Sequence, residues 1–332
     1  MFGPMRMALC AALAVLLSVP AAAAQTAVTF SLDFRALGRH AAWYVALDKG
    51  YYKAAGLDVT IVPSQGTAQA IQNLEANAAQ FAFSDVAGLV AARANSGSTA
   101  KMIAVIYQKA PYAIFTLKSG ANVTQPAQLE GLEVASGAGS FTQKVIEAFM
   151  LEKGLKSSTV KYTNIDPAAR VGMLVSKKIP AIETFVMSQP GIAKAAPGDD
   201  QTFLLADQGL KLYSNGILAR SDYLSANPDT VKAFVKASLQ GWHDTIADPK
   251  AAADIVAKYV KGLDPEVALA EIKIVDDLVV TDATRANGIG AIDPSVMAAS
   301  VDLIAKSVEK ASGMKAADVY DSGFLPQPPI KP

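Results

Sequence analysis

Several short runs place glycine beside serine or threonine where a strand-like stretch gives way to a helix-like one. Unpaired main-chain N–H groups and small hydroxyls at such a junction suit the oxygens of an anion. Ser136-Gly137-Ala138-Gly139-Ser140-Phe141-Thr142 is the clearest case, with Ser136, Gly139 and Ser140 as its candidate contacts. Ser64-Gln65-Gly66-Thr67 and, without a glycine, Ser84-Asp85 also end a strand-like run and open a helix-like one, which adds Gln65, Thr67, Ser84 and Asp85. Ser140 or Thr142 also reads as a plain helix cap, and the two roles are compatible. Asp33-Phe34-Arg35 follows the first strand-like run and joins an aromatic face to a guanidinium. Phe34 has two readings, stacking on a flat ligand or filling the core. Arg35 either forks onto a carboxylate or sulfonate or stands solvated, and Arg39 is a weaker candidate for the same part. His40 opens a helix, where a histidine more often bonds main-chain groups than a ligand. On the far side of the chain, Glu183 and Thr184 follow a strand-like run, and Tyr213 and Asn215 lie near a second extended segment.

Covalent chemistry has little to work with. The single cysteine, Cys10, sits in the N-terminal apolar run, so the remaining chain offers no disulfide, no thiolate nucleophile and no cysteine-ligated metal. Only His40 and His243 supply imidazoles. No Gly-x-Ser-x-Gly elbow, His-Glu-x-x-His helix, Walker loop or dinucleotide fingerprint occurs, and Gly137-Ala138-Gly139 is too short for the last. Asp199-Asp200 and Asp276-Asp277 are adjacent pairs whose side chains diverge on a strand or helix, which reads as solvated surface. The expectation is a protein without catalytic residues, metal or cofactor.

The elements that must hold these residues alternate. Strand-like runs occur at Val28–Leu32, Leu57–Val62, Phe81–Phe83, Met102–Ile106, Ala113–Leu117, Leu132–Ala135, Val160–Asn164, Phe203–Leu205 and Asn215–Leu218. Amphipathic stretches between them, such as Ile71, Leu74, Ala78 and Val145, Ile146, Phe149, Met150, predict parallel α/β sheets with crossover helices. From Asn227 the chain reads as successive helices, opened at Asn227-Pro228, Asp248-Pro249, Asp264-Pro265 and Asp293-Pro294, the last running to about Gly313. Leu325-Pro326-Gln327-Pro328-Pro329 reads as a tail on the surface. No fixed-period repeat is visible. Two α/β units and a helical coda fit a bilobed molecule whose chain crosses near Pro111–Lys118 and returns near Leu212–Leu218. Lobe I is then 25–115 with 216–332 and lobe II is 116–215, with a ligand cleft where the carboxyl ends of both sets of strands face each other.

With 51% hydrophobic and 18% charged residues, the 332-residue chain is globular, long enough for about two compact units. Lysine and arginine total 30, as do aspartate and glutamate, so no bulk field draws it onto nucleic acid or acidic lipid. Arg6, the apolar run Met7–Val19 and the small residues Ala21–Ala24 have the parts of a cleavable signal peptide covering residues 1–24. Cleavage after Ala24 predicts export to the periplasm.

The stretch Phe30-Ser31-Leu32-Asp33-Phe34, then His40, then Trp43-Tyr44-Val45-Ala46-Leu47-Asp48-Lys49-Gly50-Tyr51-Tyr52-Lys53-Ala54-Ala55-Gly56-Leu57-Asp58-Val59 resembles the opening of the NMT1/THI5-like family. The likeness continues through Ala79–Asp85, Leu129–Val134 and Ser136–Phe141. That family holds periplasmic binding proteins for alkanesulfonates, taurine, nitrate and thiamine-related pyrimidines. The resemblance implies a type II periplasmic-binding-protein fold with a hinge and a C-terminal helical segment. It also implies a monomeric solute-binding protein that delivers a small anionic or heteroaromatic metabolite to the permease and ATPase of an ABC importer. Relatives often place a tryptophan where Phe34 stands, and pyrimidine-binding relatives hold an amino group with an acid near Glu183, though the spacing here is shifted. The family also contains a pyrimidine synthase, whose reactive lysine, histidine and cysteine-rich run would fall at Ser84, near Gly88 and near Tyr213-Ser214-Asn215-Gly216. None of those side chains is present, which turns the expectation from enzyme to receptor. A secreted enzyme on the same scaffold and a ligand-sensing partner of a membrane receptor are the alternatives.

Overall fold

The computed structural model describes residues 24–137 and 140–332; the expected signal segment as far as Ala23, with Ala138 and the candidate Gly139, lies outside the described residues. Ten strands form two sheets: β1 (Thr26–Ser31), β2 (Leu57–Val62), β3 (Phe81–Asp85), β4 (Ala100–Val105), β5 (Tyr112–Leu117), β6 (Glu133–Ser136), β7 (Lys161–Asn164), β8 (Ala181–Phe185), β9 (Asp200–Leu204) and β10 (Asn215–Arg220). The first sheet has the order β2-β1-β3-β10-β4 and the second β7-β6-β8-β5-β9. The two patterns match strand for strand, so a structural repeat exists where the sequence shows none.

The sheets are mixed, which corrects the expectation of parallel ones. β1 runs parallel to β2 and β3, and β6 to β7 and β8, but β10 is antiparallel to both its neighbours and so is β5. The reason is the route of the chain. β5 enters the second sheet directly after β4 ends in the first, and β10 makes the return trip. A strand arriving from the facing sheet enters at the end where the others leave, and therefore runs against them.

β8 carries a second correction. Glu183 and Thr184 lie within this strand rather than after it. Its sequence, Ala-Ile-Glu-Thr-Phe, puts a charge at the centre of a buried central strand, and that charge hides the strand from hydrophobic patterning.

Helices cover both sheets, and the aromatic side chains concentrate on the first. Phe81 stacks on Phe234 with centroids 4.0 Å apart, while Trp43 meets Phe30, Phe83 and Trp242 edge-on. Helix Pro228–Ala247 supplies Phe234 and Trp242 and lies against helix Ala41–Asp48. Gly241 permits that approach, since a Cβ there would stand 2.3 Å from the Ala42 carbonyl oxygen and 2.8 Å from the Ala46 Cβ. Gly241→Ala should therefore lose about 1–3 kcal/mol of stability by overpacking. Urea denaturation checks this; an unchanged midpoint would mean that the helices separate freely.

The C-terminal helices open largely as their sequence requires. The Asp248, Asp264 and Asp293 carboxylates accept from main-chain N–H groups of the first turn. Asn227 precedes its helix but does not cap it, because its amide donates backwards to the Tyr223 carbonyl. Helix Pro294–Ala305 stops short of Gly313 and yields to a 3₁₀ turn at Glu309–Ala311. The proline-rich tail has no regular structure, yet it is tied down: the Ile289 N–H donates to the Ile330 carbonyl at 2.8 Å.

Candidate functional site

The mutually parallel strands of each sheet end where the antiparallel strands β5 and β10 begin, and the polar residues gather there. Asp33, just past β1, is the hub of the first half. Its Oδ1 accepts from His40 Nε2 at 2.8 Å and from Arg39 Nη2 at 3.2 Å, and its Oδ2 from Asn215 Nδ2 at 2.9 Å. Burial pushes the Asp33 carboxyl up, but Arg39, His40 and Asn215 together hold it below the usual carboxylate range. Burial, then the Arg39 charge, lower the pKa of His40 against the opposing pull of Asp33. The imidazole is neutral, with its tautomer set by two partners: the Leu37 N–H donates to Nδ1, so Nε2 carries the proton that goes to Asp33. Glu271, from helix Pro265–Val279, accepts the Arg39 main-chain N–H at 3.2 Å, and burial raises its pKa.

Asp85 closes β3 and caps helix Val86–Ser96. Its Oδ1 accepts the Gly88 N–H at 2.5 Å and its Oδ2 the Thr67 hydroxyl at 2.8 Å. Full burial raises this carboxyl to about 6 despite both bonds. Ser84 is completely buried beside it, its hydroxyl turned to the Thr67 carbonyl at 3.5 Å. A Cβ at Gly88 would stand 2.1 Å from Thr67 Cγ2 and 3.2 Å from the Phe141 ring.

In the second half Glu183 is the centre. Its Oε1 accepts from Ser136 Oγ at 2.7 Å, Arg170 Nη1 at 3.2 Å and the Gly137 N–H at 3.4 Å. Arg170 Nη1 donates as well to the Glu183 main-chain carbonyl at 2.8 Å. Tyr112, the first residue of β5, accepts from Ser214 at 3.3 Å; burial, then the Asp85 charge, keep its phenol protonated well above the ordinary range.

Among the described residues, Arg39, Phe141 and Lys194 are some of the side chains that join the halves. The Arg39 guanidinium lies 5.2 Å from the Phe185 ring at the end of β8 and 6.0 Å from the Phe34 ring. Phe141 reaches from the second half to Gly88 in the first. Lys194 pairs with Asp264 at 3.7 Å, a surface contact of little weight.

The sequence-nominated residues separate accordingly. Ser84, Asp85 and Thr67 form one group, Ser136 and Glu183 a second, and His40 and Asn215 join the Asp33 network. Phe34 is half-buried beside them, while Arg35 is exposed at the rim, 5.8 Å from the Phe34 ring, with no ion pair among the described residues. Gln65 is exposed, and Ser140 is half-buried with its hydroxyl accepting the Thr142 N–H at 3.3 Å. Tyr213 stands apart: its hydroxyl accepts the Asp293 N–H at 3.1 Å and its main-chain N–H goes to Ser300, both beside helix Pro294–Ala305. Sequence reasoning did not nominate Asp33, Arg39 Nη2 as its partner, or Arg170. Asp33 was detectable, since it shares the loop that supplies Phe34. Arg170 gave no signal, because an arginine within an amphipathic helix reads as surface.

Residues 38–252 match the family described as NMT1/THI5 like. The riboflavin-binding protein RibY of Chloroflexus aurantiacus is 26% identical over 251 residues, which span 74% of this chain and 69% of that protein. The 4-amino-5-hydroxymethyl-2-methylpyrimidine phosphate synthase THI11 of Saccharomyces cerevisiae is 24% identical over 241 residues, 67% of this chain and 68% of that one. Among solved structures, the periplasmic aliphatic sulphonate binding protein SsuA from Escherichia coli is similar at a TM-score of 0.67 and 16% identity, covering 85% of this chain and 87% of that chain. The two sheets, their matched strand orders and the exchanged strands β5 and β10 make up the same periplasmic-binding-protein fold.

Proposed function

The chain belongs to the NMT1/THI5-like family, and from that premise we propose that it is the solute-capturing component of an ABC-type importer. It holds a small heteroaromatic metabolite between its halves and leaves the ligand's covalent bonds unchanged. The observation that carries this reading is the charge pairing of the cleft. Arg39 faces Asp33 and Arg170 faces Glu183, so neither cation is left to neutralise a buried anion. Taking nitrate or a sulfonate out of water against such pairs costs several kcal/mol. A flat, uncharged ring avoids that cost, lies against Phe34 or Phe185, and offers an N–H to Glu183. Of the two ligand classes expected from the sequence, the pairing favours the heteroaromatic one. Arg35 at the rim is left for an acidic substituent that stays in contact with water.

Capture proceeds by closure about the connections 106–111 and 205–214, each of which carries the chain from one sheet to the other. The mature protein works as a monomer in the periplasm and hands its solute to a membrane permease driven by an ATPase. A thermal-shift series of riboflavin, pyrimidines, aromatic carboxylates, ethanesulfonate and nitrate tests the ligand class. At 100 times Kd a true ligand adds about 2.7 kcal/mol of stability. Ring compounds should raise the melting temperature; stabilisation by ethanesulfonate or nitrate alone would overturn the reading.

The match to the yeast-type synthase supports a second reading, an enzyme on this scaffold. Two positions weigh against it. Ser84 cannot form the imine that a lysine forms, and the 2.1 Å approach at Gly88 leaves no room for a histidine. Mass spectrometry of a bound solute before and after long incubation separates the two, since a binding protein returns the same mass.

A further inference from the structure

We propose that Arg170 is a specificity-determining residue which, with Glu183, reads the cis-amide edge of a ring, an N–H beside a C=O. This rests on the heteroaromatic reading above and deepens it. Helix Pro167–Val175, capped by Asp166, presents Arg170 with its side chain only 12% exposed. Nη1 is committed, since it donates to both the main-chain carbonyl and the carboxylate of Glu183. Nη2 lies alongside Gly137, where even an added Cβ would stay 3.5 Å away, and it has no hydrogen-bond partner among the described residues. Glu183 is divided in the same way. Its Oε1 takes the Ser136, Gly137 and Arg170 donors, and its Oε2 takes none among the described residues.

The pair thus leaves one donor, Nη2, and one acceptor, Oε2, without partners among the described residues, on two side chains tied to each other through Nη1 and Oε1. The matching partner presents an acceptor next to a donor, as the lactam or imide edge of a pyrimidinedione does. A sulfonate presents acceptors only and would meet Oε2 with repulsion. An ammonium group presents donors only and would meet the guanidinium. The fork geometry matters, so lysine is no substitute for Arg170.

The test uses the mature full chain and two matched probe pairs, riboflavin with 3-methylriboflavin and uracil with 1,3-dimethyluracil, in each of which methylation removes every ring N–H. Flavin fluorescence quenching and calorimetry read the affinities. The N-methylated probe of a binding pair should bind about tenfold more weakly or worse, the worth of one hydrogen bond to a charged group. Arg170→Lys should weaken the N–H probe by a similar factor while changing the methylated one little. Glu183→Gln should likewise shrink the preference for N–H, and melting curves confirm that both variants fold. Equal binding of the two members of a pair, or equal loss of both in Arg170→Lys, would overturn the edge assignment and leave ring binding standing. Failure of all four probes beside stabilisation by ethanesulfonate would remove both readings together.

Discussion

Asp33→Ala is expected to cost the folded protein about 3–5 kcal/mol, the usual consequence of stripping one partner from a buried ion pair. The Asp33 carboxylate is 4% exposed and answers three donors at once, the Arg39 guanidinium, the His40 imidazole and the Asn215 amide. Without it the Arg39 charge, itself 8% exposed in its side chain, keeps only the buried Glu271 nearby. Asn215 then loses its acceptor at the first residue of β10, where the returning chain joins the first sheet. Equilibrium urea unfolding gives the loss directly. The double variant Asp33→Leu with Arg39→Met should recover much of it, because it removes both buried charges and fills the space with apolar atoms. A single variant within 1 kcal/mol of the parent would show that water reaches this network and solvates Arg39.

The same network marks the limit of what the sequence discloses. β2 was legible to the residue, and most other strands within a residue or two at one end or both, because their apolar runs are bounded by turn chemistry. β8 was not, since its central glutamate is buried for the sake of Ser136, Gly137 and Arg170, residues up to 47 positions away. Mixed strand direction is likewise a property of the chain's route between sheets, and local periodicity carries no trace of it. Within the candidate site, the loop and strand-end positions were nominated because small hydroxyls and glycines stand out at junctions. What each of them does was not, because that depends on partners. His40 and Asn215 spend their hydrogen bonds on Asp33, and Tyr213 spends its own on the start of a helix some eighty residues on. Arg35 and Arg39 look alike in sequence, yet one is exposed at the rim and the other is a buried tie between the halves. Partner choice at long range, rather than residue type, decides which polar group meets a ligand.

Asp85 gives the second large effect, and it depends on pH. In the folded chain this carboxyl keeps its proton up to about pH 6, whereas the unfolded chain releases it near 3.8. Between those values the folded state binds more protons than the unfolded state, so this group's contribution to stability falls as the pH rises. Roughly two pH units at about 1.4 kcal/mol each give a loss of about 3 kcal/mol, complete by pH 7. Other groups titrate in the same range: Asp276, raised to about 7 by burial and Asp277, acts in the same direction, and the depressed His40 opposes it. Asp85→Asn isolates the one carboxyl, because the amide resembles its protonated form and can still accept the Gly88 N–H while leaving Asp276 and His40 as they are. The variant and the parent should be about equally stable at pH 4, and the variant more stable by about 3 kcal/mol at pH 7. Urea unfolding at pH 4, 5, 6 and 7 measures the divergence. Parallel profiles would mean that the bonds from Gly88 and Thr67 hold Asp85 ionised throughout. Divergence would mean that the group formed by Thr67, Ser84 and Asp85 carries one negative charge fewer below pH 6, and under the function proposed above a ring with a hydrogen-bond acceptor turned toward Asp85 would then bind more tightly in mild acid than at neutrality.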